Sequence, residues 1–105
     1  MSALSLTLSV CAPYPSIRIE GDLDHETAPH LPALVERVVR AVDPGLVVLD
    51  LAGVRFINSA GIRALVLARA AAADLLLRCP SPLVRRVLTA TGDDRLFAIE
   101  PGGAA

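Results

Sequence analysis

Ser59 is the residue best placed to take part in chemistry. It follows the apolar run LVVLDL at 46–51 and the segment AGVRFIN, and it opens an alanine-rich stretch suited to a helix. A hydroxyl on a helix's first turn is either a cap for the free backbone amides or a group open to modification. Asn58 caps as well as serine does, which would leave Ser59 at the first helical position with its hydroxyl free. Gly61, just beyond, lets another backbone come close. The other chemically capable residues are the carboxylates Asp22 and Asp24 of the GDLD segment, Asp50 in the apolar run, His25 and His30, and the thiols Cys11 and Cys79.

Most catalytic readings of these residues fail on spacing. A nucleophile elbow, G-x-S-x-G, needs glycine where Ile57 stands, and both histidines precede the serine instead of following it. A phospho-aspartate receiver would need a lysine after a later strand, and the chain has no lysine at all. Asp50 is therefore read as a structural carboxylate at the strand's end, bonded to loop amides. No third ligand is spaced to join His25 and His30, which read as solvated, and the cysteines form no CxxC, so they read as buried reduced thiols. No catalytic residue, metal or cofactor is assigned.

Ten basic residues, all arginine and scattered except for Arg85 and Arg86, face eleven acids for a formal net charge of −1, which argues against nucleic acid as a partner. No run approaches the roughly 18 apolar residues of a membrane span. The N-terminal MSALSLTLSVC lacks a basic segment and alternates like a strand, so it does not read as a signal peptide, and a soluble cytoplasmic protein is expected.

The elements that must position Ser59 follow from hydrophobic period. A chain of 105 residues is one domain, and at 53% hydrophobic but 3% aromatic its core must be built from Leu, Val, Ile and Ala. Leu4, Leu6, Leu8 and Val10 alternate with hydroxyl residues, and Ile17 and Ile19 alternate with Arg18 and Glu20, which predicts two strands paired as a hairpin or meander. Leu31, Leu34, Val35, Val38, Val39 and Val42 recur at helical spacing, with Thr27 a candidate cap, Pro29 in the first turn and a stop at 43–45. Next come a buried strand at 46–51, a loop at 52–57 and a helix at 59–73. That helix turns Gly61, Ile62, Leu65, Ala68 and Ala72 inward, and Arg63, Leu67 and Ala70 outward. A buried strand at 75–79 lies parallel to the first through a right-handed crossover. Pro82 opens a third helix, with Leu83, Val87 and Leu88 on one face and Gly92 at its end, before a last strand at 96–100. The expected fold is a single α/β domain over 1–100, a mixed, mainly parallel sheet with helices packed on it, and a disordered tail at 101–105.

Four segments in register, GDLD at 21–24, VVLDLAGVRFINSAG at 47–61, PLVRRVL at 82–88 and TGDDRLFAI at 91–99, resemble the STAS domain and within it the bacterial anti-sigma factor antagonists. The resemblance covers about 4–99. It implies a binding protein, not an enzyme, whose serine at the start of the second helix, here Ser59, is phosphorylated by an ATP-using anti-sigma factor serine kinase. The unphosphorylated form would bind that kinase and release a sigma factor, and a serine phosphatase would reset it. The resemblance places Asp22 and Asp24 near the modified serine, and Asn58 stands where the family usually has aspartate. Outward Arg63 and Leu67 would join Asp22, Asp24, Asn58 and Ser59 in a partner-binding surface. The family also commonly closes with an amphipathic helix after the last strand, so one sheet face is expected to be open or covered by a partner. STAS modules that serve as accessory subunits of lipid-transport ATPases, or as scaffold pieces of stress-sensing complexes, are the alternative, with the same fold and no phosphorylation switch.

Overall fold

Strands β1 (Leu4–Ser9) and β2 (Ser16–Leu23) pair antiparallel, and β3 (Val47–Ile57), β4 (Leu75–Arg78) and β5 (Ala98–Glu100) follow in spatial order, each parallel to its predecessor. The computed structural model describes residues 3–9 and 13–100, so Val10, Cys11 and the expected tail at 101–105 lie outside the described residues. Helices α1 (His30–Val42), α2 (Ser59–Ala71) and α3 (Pro82–Thr91) make the crossovers. Every parallel step moves in the same direction across the sheet. Right-handed crossovers then put all the helices on one face and leave the other without them.

Two neighbouring rows of register partners carry this asymmetry. Leu8, Ile17, Leu49, Leu77 and Ile99 line up across all five strands, and the central three are fully buried under the helices. One residue along, Thr7, Arg18, Asp50, Arg78 and Glu100 line up on the opposite face. Their charges alternate from strand to strand, with Arg18 Nε 3.8 Å from Asp50 Oδ2 and Arg78 Nε 3.2 Å from Glu100 Oε1. Such half-exposed pairs add little stability each, about 0–1 kcal/mol. Their main effect is to make this face hydrophilic, as the open face of a one-sided sheet must be. Asp50 also accepts a hydrogen bond from the Ala52 amide at 3.0 Å, so its carboxylate is structural, though it lies within a strand and not at a strand's end.

The segment 52–57, expected as a loop, is the second half of β3. Its alternation is hidden because register shifts put extra β3 residues between the partners of Arg18 and Glu20 and between those of Gly21 and Asp22. As a result Leu51, Val54 and Ile57 are buried at a spacing of three, not two. Gly53 sits at the first irregularity, where an added Cβ would lie 2.7 Å from Glu20 Cγ. Gly21 sits at the second with φ +108°, a conformation open to glycine.

Other corrections are local. Thr27 does not cap α1, whose N-cap is Pro29 with no side-chain hydrogen bond. The inward face of α3 is Val84 and Leu88, with Val87 partly buried and Leu83 exposed. Ser81 caps that helix through the Val84 amide at 3.4 Å, and it donates to Val54 O at 2.9 Å, which ties α3 to β3. A 3-10 turn at Asp93–Leu96 shortens the last strand. Among the described residues no helix is long and apolar enough to cross a membrane.

Candidate functional site

The C-terminal ends of β2 and β3 meet at the start of α2. The Asn58 amide donates to Leu23 O at 3.4 Å. Gly61 lets α2 lie directly on this junction, since a Cβ there would meet Leu23 O at 2.5 Å and Ile57 Cγ1 at 2.6 Å. With β-carbon contacts that short, only glycine fits without movement of backbone.

Asn58 has extended backbone, φ −129° and ψ −168°, and its Oδ1 accepts from the Ala60 amide at 3.0 Å and the Gly61 amide at 3.3 Å. The first intrahelical bond runs from the Ile62 amide to Asn58 O at 3.0 Å. Asn58 is thus the cap. Ser59 is the first helical residue, is exposed, and its hydroxyl has no hydrogen-bond partner among the described residues. Of the two options open in the sequence, the one in which Ser59 is relieved of capping is the one that forms.

The GDLD segment reaches the same place with its two carboxylates in different settings. Asp24 is only 8% exposed, and its Oδ1 accepts from the Glu26 amide at 3.0 Å, the Thr27 amide at 3.2 Å and Thr27 Oγ1 at 3.2 Å. Thr27 Oγ1 in turn accepts from the Asp24 amide at 3.1 Å and lies 2.6 Å from Asp22 O. This reciprocal set closes the turn between β2 and α1, and it turns the Asp24 carboxylate inward. Asp22 is half-buried and is the register partner of Phe56 in β3.

Beyond Ser59, Arg63 and Leu67 follow at intervals of four along α2 and are both exposed, with Leu67 at 46%. Ala64, Leu65 and Ala68 are buried, so the expected phase of the helix holds. Leu67 lines a shallow apolar groove between α2 and α1 together with Ala60, Arg63, Pro29, Pro32 and His25, over the buried Ala28 and Ala64. Ser59, Arg63 and Leu67 thus share one exposed face of α2 with Asn58 at its cap, and the Asn58–Leu23 bond brings the end of β2, followed by Asp24, alongside; Asp22, paired with Phe56, lies on the other side of the strand from buried Leu23. Sequence reasoning missed the groove itself. Pro29 at the N-cap of α1 and Pro32 within it both line the groove.

No base is bonded to Ser59 Oγ among the described residues. What the site offers is an accessible acceptor hydroxyl set in an apolar surface.

Comparison with known proteins agrees with this architecture. A family model for the STAS domain matches residues 13–102. No curated protein matches the chain. Among solved structures, an anti-sigma factor antagonist from Mycobacterium paratuberculosis is 25% identical with a TM-score of 0.83, over 94% of this chain and 86% of that one. The anti-sigma factor antagonist SpoIIAA in its unphosphorylated form is 22% identical with a TM-score of 0.68, over 93% and 88%. The Bacillus cell fate determinant SpoIIAA in its phosphorylated form is 22% identical with a TM-score of 0.63, over 93% and 91%. The last two likenesses are of fold.

Proposed function

The chain belongs to the STAS domain family, and from that premise we propose that it is an anti-sigma factor antagonist switched by phosphorylation of Ser59. The unmodified protein binds an anti-sigma factor serine kinase and so frees a sigma factor. The kinase ends the interaction by phosphorylating its own partner, and a serine phosphatase restores it. The observation that carries this reading is the division of labour at the helix start. Asn58 takes the Ala60 and Gly61 amides, and Ser59 stands exposed with no partner among the described residues.

In the transfer step Ser59 Oγ attacks the γ-phosphorus of ATP, the bond to ADP breaks, and the hydroxyl proton passes to a base on the kinase. The chain supplies only the acceptor. The product carries roughly −1.5 to −2 charges. It sits at a helix N-terminus, where the dipole favours an anion by about 0.3–1 kcal/mol, and Arg63 is one turn away on the same face. Because the hydroxyl is already exposed, the fold does not have to bury the new charge.

A docked partner does have to bury it. The surface around Ser59 includes Ala60 and Leu67, and a dianion trapped among such groups must be desolvated. The resemblance also places Asp22 and Asp24 near this serine, where carboxylates would add like-charge repulsion. The modification is therefore near neutral for folding and strongly unfavourable for docking, as a binding switch requires. Asp24 contributes indirectly, by fixing the turn that carries His25. Incubation with the cognate kinase and ATP tests the proposal. Mass spectrometry should find a single phosphate, on Ser59, and none on the Ser59→Ala protein. Unmodified wild type would leave the accessory or scaffold reading in its place.

A further inference from the structure

The two edges of the sheet are built differently. Edge strand β5 is three residues long and ends in Glu100, held in an ion pair with Arg78. Short, charged edges resist pairing with another chain. The opposite edge, β1, is six residues of LSLTLS with no charge, proline, glycine or bulge. Among the described residues it carries none of the charges, prolines or bulges that usually blunt an edge.

The pattern of pairing shows which groups β1 presents outward. The Asp22 amide donates to Ala3 O at 2.8 Å, so Ala3 and Asp22 form a hydrogen-bonded pair. Counting along the antiparallel register, Ser5 and Thr7 also bond inward to β2, and the amides and carbonyls of Leu4, Leu6 and Leu8 point away from the sheet. The side chains of the same three leucines lie on the helix-covered face. Leu4 and Leu6 are partly buried against the core, but Leu8, at the end of the fully apolar row, is left 40% exposed. On the open face the charged row ends at β1 in Thr7, an uncharged hydroxyl.

We propose that β1 pairs antiparallel with β1 of a second copy about a two-fold axis through Leu6, joining two sheets into one. This register alone sets all three outward leucines of each copy opposite those of the other: Leu6 opposite Leu6, and Leu4 opposite Leu8. It forms about six backbone hydrogen bonds between the chains. The exposed Leu8 gains Leu4 of the other copy as its neighbour, which extends the apolar row across the axis. On the open face Ser5 meets Thr7, a hydroxyl pair suited to cross-strand hydrogen bonding. The alternating charges of the two open faces do not meet directly, because Ser5 and Thr7 stand between them. The contact leaves α2 and Ser59 untouched, and it does not depend on the proposed switch. Two paired edge strands bury less than a standard interface, so the dimer is weak and dissociates on dilution through the micromolar range.

Sedimentation velocity across concentrations up to about 1 mM tests this. Wild type should move from monomer to dimer, and Leu8→Lys should raise the dissociation constant at least tenfold with an unchanged circular dichroism spectrum. A second measurement stands even if that variant misfolds. Ser5→Cys and Thr7→Cys proteins, each with Cys11 and Cys79 replaced by Ser, should cross-link on oxidation when mixed and not when alone. Only the mixture brings the two thiols to the Cα separation of about 4.5 Å of a non-hydrogen-bonded pair. A protein monomeric at every concentration overturns the proposal. So does a dimer indifferent to Leu8→Lys, or cross-linking that is equal in each variant alone.

Discussion

Replacing Asn58 by alanine removes the side-chain oxygen that receives the Ala60 and Gly61 amides, at 3.0 and 3.3 Å. Both amides are then left at a partly buried helix end, and the loss of such a cap costs about 1 kcal/mol, within a range of about 0.5–2. In a domain of this size that lowers Tm by about 4–8 °C. The neighbouring replacement, Ser59→Ala, removes a hydroxyl that is exposed and has no partner among the described residues, and should change stability by less than about 0.5 kcal/mol. Urea denaturation followed by circular dichroism measures both, with the slope of the transition checked for constancy so that midpoints compare directly. The two variants together discriminate between the roles more sharply than either does alone. If Ser59→Ala costs as much as Asn58→Ala, or if Asn58→Ala costs nothing, the serine is the cap after all. Its hydroxyl is then engaged in the fold, and the argument that it is free for modification collapses.

Two further substitutions probe the surface and its support. Leu67→Arg should weaken partner binding at least tenfold while Tm stays within a few degrees of wild type, because Leu67 is 46% exposed at the groove; an unfolded variant would show the residue to be core. Gly61→Ala should cost about 1–3 kcal/mol by overpacking, since its Cβ would meet Leu23 O at 2.5 Å; a neutral result in thermal melts would mean that α2 does not rest directly on the end of β2.

The order of elements was readable because strand and helix periods differ and most of this chain keeps to one or the other. LSLTLS and SIRIE alternate, LVVLD and LLLR are continuous, and the valines of α1 recur at helical spacing. The second half of β3 was not readable, because its bulges convert a two-residue period into the three-residue spacing of Leu51, Val54 and Ile57. That spacing matches neither template. The face of α3 was misjudged by a single position. Leu83 is larger than Val84 and looks the better core residue, yet the cap at Ser81 and its bond to Val54 O fix the helix's rotation so that Val84 and Leu88 point inward. At the site, residue chemistry left the cap open between Asn58 and Ser59, and helical phase placed Leu67 outward. The groove between α1 and α2 and the inward turn of Asp24 depend on how separate segments meet. No local pattern encodes such a meeting.

The central claim is that one phosphate on Ser59 changes binding without changing the fold. The most direct test is the affinity of the cognate anti-sigma factor kinase for the unmodified protein and for the Ser59-phosphorylated protein, measured by titration calorimetry. The account predicts a loss of about a hundredfold, or ~2.7 kcal/mol, with superimposable circular dichroism spectra, and a loss in the same direction for Ser59→Asp. Equal affinities for the two forms, or a phosphorylated protein that has lost its fold, would contradict it.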